Sequence, residues 1–323
     1  MKFTFLNMII VTFFLFVNGS LFPYSHAALI DDLSYAIQID PRDADSYFSR
    51  GYIYFVKEDF DKAIDDFSQA IRLEPTDDLS YYFRGKIMSR KGDMRRAIED
   101  FTKALIYKPN HVAVLFYRSQ AYRKVGEKSN AMKDLNQALK ISPNQPKLWA
   151  WRGYMKKDTG DIGGAVSDYR KAVELDPGYA WAMNQLACIL VSSRDPEIYN
   201  PEYALSYIER ALVQEKSAAY YDTLGCICSE LKQWKKAVEA EEQAMALDEN
   251  VMFEERRNAF LKEKSYTQLI EEKRKIEEEK QFLKTHERRK KEKLWDEIVK
   301  RNKNITYRRI YPISGNTKLS RKT

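Results

Sequence analysis

YFSRGYIYFVKEDFDKAIDDFSQAIRLEP (residues 47–75) is followed shortly by YYFRGKIMSRKGDMRRAIEDFTKALIYKP (residues 81–109). Aligned without a gap, they pair Tyr47 with Tyr81, Gly51 with Gly85, Ala63 with Ala97, Phe67 with Phe101, Ala70 with Ala104 and Pro75 with Pro109, always 34 residues apart. The step extends beyond these segments. Pro41, Pro75, Pro109, Pro143 and Pro177 keep it, as do Ala36, Ala70, Ala104, Ala138 and Ala172. Ala63, Ala97, Ala131 and Ala165 form a third series, Phe67, Phe101, Leu135 and Tyr169 a fourth, and Gly51, Gly85, Ser119 and Gly153 a fifth. A fixed period of this length marks a stack of short units that bury their apolar faces on one another.

The residue types suit a helix–turn–helix unit. Small residues sit where two antiparallel helices touch. Phe67 follows Ala63 by one helical turn and shares its face. The proline stands where the second helix must stop, having no N–H and clashing with a continuing turn. Departures from the pattern are informative. Residues 29–41 (LIDDLSYAIQIDP) match only a second helix. In the fifth repeat Ala187 and Ala204 are 17 apart where Gly153 and Ala165 are 12 apart, so extra residues lie within the loop at 192–201. The sixth repeat keeps Tyr221, Gly225, Trp234, Ala237 and Ala244 but has no closing proline. Residues 252–266 read as a polar cap, with Phe253, Phe260 and Leu261 covering the end of the core.

These residues resemble the tetratricopeptide repeat family over residues 29 to 250. The resemblance implies an all-α, right-handed solenoid of helix pairs that holds other proteins and performs no catalysis. It also implies that the first helices line a concave groove. The groove positions are Phe48, Tyr52, Phe55, Tyr82, Lys86, Arg90, Phe116, Gln120, Arg123, Lys124, Lys147, Tyr154, Lys157, Trp181 and Asn184, with Asp222 and Glu230 at an acidic end. Such a wall suits a protein or peptide ligand with apolar anchors and acidic residues. Phe48 and Tyr52 occupy two positions of the Lys/Asn clamp that some family members use for a terminal carboxylate, which argues against that role. A competing reading has these aromatics simply packing between repeats.

A second pattern runs alongside. Arg50, Arg84, Arg118 and Arg152 precede the small residue of the first helix; Asp66, Asp100, Asp134 and Asp168 precede the bulky residue of the second. Where Arg gives way to Leu186 and Leu224, Asp gives way to Tyr207 and Ala240. We read these as structural Arg–Asp bridges, within or between repeats.

Catalytic, cofactor and metal motifs are not evident. His26, His111 and His286 are far apart in sequence, and no phosphate-binding loop or nucleophile elbow occurs. Cys226 and Cys228, two apart on a helix, point to different faces and read as small core hydrophobes. Cys188 and Cys226 hold equivalent places in adjacent repeats, farther apart than a disulfide prefers.

The chain ends carry further expectations. Lys2, an apolar run over residues 3–17 and Ser25-His26-Ala27 read as an export signal (residues 1–27) cleaved near Ala27/Ala28, giving a periplasmic or secreted protein. The alternative is an uncleaved anchor over residues 3–22. The solenoid then spans 28–250 as a half repeat and six repeats, followed by a capping helix (251–266), a charged helix (267–300) and a basic disordered tail (301–323). Of the net charge of +7, the tail region carries the surplus: residues 284–323 hold 14 Lys/Arg against 4 Asp/Glu. The tail suits an anionic surface, and a cytosolic nucleic-acid-associated adaptor is the rival reading. Leu269, Ile276 and Leu283 repeat by seven, which allows a short coiled coil beside the simpler solvated helix.

Overall fold

The structure, a computed structural model, describes residues 25–301. The expected signal up to residue 24 and the tail beyond 301 lie outside the described residues. Among those described, every regular element is a helix. A lone helix, α1 (His26–Ile39), comes first. Six antiparallel pairs follow: α2 (Ala44–Val56) with α3 (Phe60–Leu73), α4 (Asp78–Arg90) with α5 (Met94–Tyr107), α6 (Val112–Lys124) with α7 (Lys128–Ile141), α8 (Pro146–Asp158) with α9 (Ile162–Leu175), α10 (Ala180–Ser192) with α11 (Pro201–Gln214), and α12 (Ala218–Glu230) with α13 (Trp234–Leu247). Then come α14 (Val251–Phe260) and α15 (Tyr266–Arg301). Each second helix packs on its partner and on the first helix of the next pair, so the chain is an α-solenoid. No described helix is long and apolar enough to cross a membrane.

Local chemistry fixes the helix ends. Side-chain oxygens accept from amides that have no partner in the first turn: Asp43 caps α2, Asp77 α4, Asp93 α5, Asp161 α9, Asn200 α11 and Ser217 α12. Glu74, Lys108, Ser142 and Asp176 end their helices with φ between −129° and −137°. Each directly precedes a proline, which disfavours the α region for the residue before it. The turn from first to second helix passes through the left-handed region, at Gly92, Gly126 and Gly160 (φ 86° to 88°) and, without glycine, at Glu58 (φ 61°) and Lys232 (φ 57°). The fifth repeat replaces this turn with the longer loop, closed by the Asn200 amide donating to the Leu190 carbonyl.

The second helices supply the densest core. Ala63, Phe67 and Ala70 are fully buried, as are Ala97, Phe101 and Ala104, Ala131, Leu135 and Ala138, Ala165, Tyr169 and Ala172, and Ala204, Ile208 and Ala211. Gly85 shows why the facing residue must be small: a Cβ there would stand 2.8 Å from the Phe101 ring.

Each Arg–Asp bridge lies within one repeat and also reaches the one before. Arg50, Arg84, Arg118 and Arg152 each give two hydrogen bonds of 2.7–2.9 Å to Asp66, Asp100, Asp134 and Asp168, the bidentate fork expected of guanidinium and carboxylate. The remaining Nη1 donates to Ser34, Ser68, Thr102 and Asn136 of the preceding second helix, at 3.0–3.1 Å. One side chain thus sets both the angle inside a repeat and the seat of the next.

At the C-terminal end, α14 buries Phe253 and Phe260, Phe260 packing with Cys226, Cys228 and Ala237 of the last pair. Leu261 does not join them; it is 57 % exposed, because it terminates the helix and turns toward solvent. The start of α15 is pinned on α12: the Tyr266 amide donates to Ser229 Oγ and the Thr267 amide to Glu230 Oε1. Leu269 packs at this joint, while Ile276 and Leu283 stay more than half exposed.

Candidate docking wall

The first helices of successive repeats pack side by side and carry a continuous ladder of rings. Phe83 of α4 touches Phe48, Tyr52 and Phe55 of α2, with centroids 5.1–6.0 Å apart. Tyr82 then meets Tyr117 at 5.9 Å, Phe116 meets Trp151 at 6.0 Å, and Trp181 meets Trp151 at 6.4 Å and Tyr154 at 6.2 Å. Such offset and edge contacts stabilise beyond the area they bury. They also fix rotamers, so the wall is largely pre-formed.

Cations lie on this ladder. Lys86 Nζ stands 5.0 Å from the centroids of Phe55 and Tyr117, 5.4 Å from Tyr82 and 5.7 Å from Phe83. Burial, and then the nearby charges of Arg90 and Lys147, hold its ammonium below the usual lysine range. Lys147 covers the Phe116 ring at 4.7 Å. Arg123 lies over Tyr154 and Trp151 and donates to Tyr154 Oη at 3.0 Å. Arg90 stacks on Phe55 and Phe60 and is paired with Glu58. Among the described residues no carboxylate pairs with Lys86 or Lys147.

The groove residues expected from the sequence divide into three groups. Phe48, Tyr52, Phe55, Tyr154 and Trp181 are half-buried rungs of the ladder, and Lys86, Arg90, Gln120, Arg123, Lys124, Lys147 and Lys157 are at least partly open, Lys157 bonding Gln185 at 3.3 Å. Tyr82, Phe116 and Asn184 are 9 %, 5 % and 5 % exposed, so they support the wall from beneath and do not present a surface. The acidic end is corrected too. Asp222 is ion-paired with Arg256, and Glu230 accepts from Tyr199 Oη and the Thr267 amide, so the cap consumes both acids.

Sequence reasoning missed the series Phe83, Tyr117 and Trp151, again 34 apart, which carries the ladder from one repeat to the next. It also missed Glu241. That residue takes the position of Phe67, Phe101, Leu135, Tyr169 and Ile208, and it is fully buried with neither carboxylate oxygen bonded. Burial alone pushes its carboxyl up to about 8. Cys226 sits close by with its thiol pushed well up by burial, and all three cysteines are free.

The described helices form a solenoid of helix pairs whose first helices carry a ladder of rings. Family models agree: those of the tetratricopeptide repeat match residues 44–77, 85–146 and 146–179. The chain is a tetratricopeptide repeat protein, and with that a protein-interaction scaffold. No curated protein sequence matches it. Among solved structures it is similar to PilF of Pseudomonas aeruginosa, with 16 % identity, a TM-score of 0.59 and coverage of 70 % of this chain and 100 % of that one. It is also similar to a tetratricopeptide repeat protein of Parabacteroides merdae, at 15 % identity, TM-score 0.53, and 73 % and 92 % coverage. The Cut9–Hcn1 hetero-tetramer gives 14 % identity and a TM-score of 0.59, covering 73 % of this chain and 46 % of that one. At these identities the likeness is one of fold.

Proposed function

We propose that the first-helix wall docks an extended peptide or protein segment bearing apolar anchors and acidic residues. One observation carries the reading: Lys86, half-buried among four rings with Arg90 and Lys147 near, has no carboxylate partner among the described residues. Holding a partly desolvated ammonium beside like charges is unfavourable unless an anion answers it. A ligand Glu or Asp supplies that anion, and the flanking rings take its apolar neighbours. The sequence of residues 1–27 adds that the scaffold works outside the cytoplasm, through a cleaved signal.

The binding half of the proposal is tested with a peptide array probed by the full chain and by Lys86→Met, which keeps the side chain's length and loses its charge. Enrichment of peptides pairing Leu or Phe with Glu or Asp, weakened about 30-fold by the substitution (~2 kcal/mol), is the expected result. Indifference to Lys86→Met refutes it. The export half is tested by the N-terminal residue of the mature protein: Ala28 supports it, a retained Met1 in the soluble fraction opposes it.

A further inference from the structure

Glu241 breaks the repeat at its most enclosed position. Burying an unbonded carboxyl costs free energy and returns nothing by itself. Yet the surroundings accommodate it: a Cβ on Gly225 would lie 2.6 Å from Glu241 Oε1, so the glycine leaves room for this side chain. Across from it on α12, Asp222 and Cys226 are four residues apart and share one helix face. One carboxylate oxygen from Asp222, one from Glu241 and the Cys226 Sγ all lie within 4.8 Å of one another. Arg256, reaching in from α14, pairs with Asp222.

We propose that Asp222, Cys226 and Glu241 bind a divalent cation of the zinc class and so clamp the last repeat and its cap. The thiolate selects a borderline metal over magnesium or calcium, which take oxygen donors. Three anionic ligands, set against a divalent ion and the Arg256 guanidinium, leave the buried cluster neutral. Donor atoms around tetrahedral zinc are about 3.3–3.8 Å apart, given bonds of about 2.0–2.3 Å, so the side chains need to close in by no more than about 1.5 Å on binding. Three protein ligands and a water complete four-coordination. Asp222 and Cys226 come from one helix and Glu241 from its antiparallel partner, so the ion crosslinks α12 to α13. Through Arg256 on Asp222 it also orders α14.

The test uses the full chain stripped with a chelator and titrated with Co2+, whose thiolate charge-transfer absorption reports a bound cysteine. One equivalent of Co2+ producing that band, and Zn2+ displacing it, is expected. Cys226→Ser and Glu241→Gln should weaken binding by more than about 100-fold, beyond what loss of a supporting residue does. Glu241→Leu restores the apolar residue of the other repeats; it should fold and show no band, while Cys228→Ser keeps it. Absence of a thiolate band in the wild-type chain at millimolar Co2+, or a band that survives Cys226→Ser, overturns the proposal. So does Zn2+ raising the Tm of wild type and Glu241→Leu equally.

Discussion

Cutting the Arg118–Asp134 bridge from one side is a sharp perturbation of this stack. The Arg118 side chain is 16 % exposed and that of Asp134 6 %, and two bonds of 2.7–2.8 Å join them. Arg118→Met removes the guanidinium and leaves a buried carboxylate with no counter-charge. A one-sided break of this kind costs roughly 3–5 kcal/mol. The bond to Thr102 Oγ1 at 3.1 Å is lost as well, worth about 1 kcal/mol. Replacing both partners, as Arg118→Met with Asp134→Leu, removes the stranded charge and should recover most of the loss, leaving the double variant within about 1–2 kcal/mol of wild type. Urea denaturation of wild type, both single variants and the double gives the coupling energy. Thr102→Val isolates the inter-repeat bond. A single-variant cost below about 1 kcal/mol, or a double variant as unstable as the sum of the singles, would refute the view that these forks register the repeats.

Further expectations follow from individual positions. Glu58→Gly should stabilise by about 1 kcal/mol in thermal or urea unfolding, because Glu58 holds a left-handed φ that glycine fills in three other repeats. Gly85→Val should destabilise by roughly 1–3 kcal/mol, since even a Cβ there meets the Phe101 ring at 2.8 Å. In chelator, Glu241 titrates near 8 when folded against an ordinary 4.5. A raised carboxyl pKa favours folding below pH 4.5 and loses that contribution as pH rises toward 8, by ~3 kcal/mol at pH 7 and ~5 at full ionisation. Amide exchange in α12 and α13 should therefore accelerate from pH 5 to 8, after correction for intrinsic rates, in wild type and not in Glu241→Leu; identical behaviour would count against the buried carboxylate.

Much of this architecture is legible in the sequence because each repeat solves the same packing problem with the same residue types. Alanine at 63 and 70, the bulky residue at 67 and proline at 75 are local requirements, and recurrence at 34 separates them from chance. The Arg–Asp series was visible for the same reason, though spacing alone left its partner open; the structure chooses the carboxylate 16 residues on. The wall was harder to read. A ring such as Tyr82 or Phe116 looks the same in sequence whether it faces solvent or lies beneath its neighbours, and only packing between repeats decides. Asp222 and Glu230 read as open acids because the groups that engage them, on α14, α15 and the inserted loop of the fifth repeat, lie outside the repeat period. Glu241 had a signal: it is the one charged residue in a column of Phe, Leu, Tyr and Ile, visible once the insertion in the fifth repeat is removed from the alignment.

A charge-swap titration followed by fluorescence anisotropy reaches the docking wall most directly. One labelled peptide carries Glu beside Leu and Phe anchors, and its twin carries Lys in place of Glu. The wild-type chain should bind the Glu peptide at least tenfold more tightly, more weakly as salt rises, and Lys86→Glu should invert the preference. Equal binding of both peptides by wild type, or a preference untouched by Lys86→Glu, would contradict the claim that the ring-held cations of this wall select an acidic ligand.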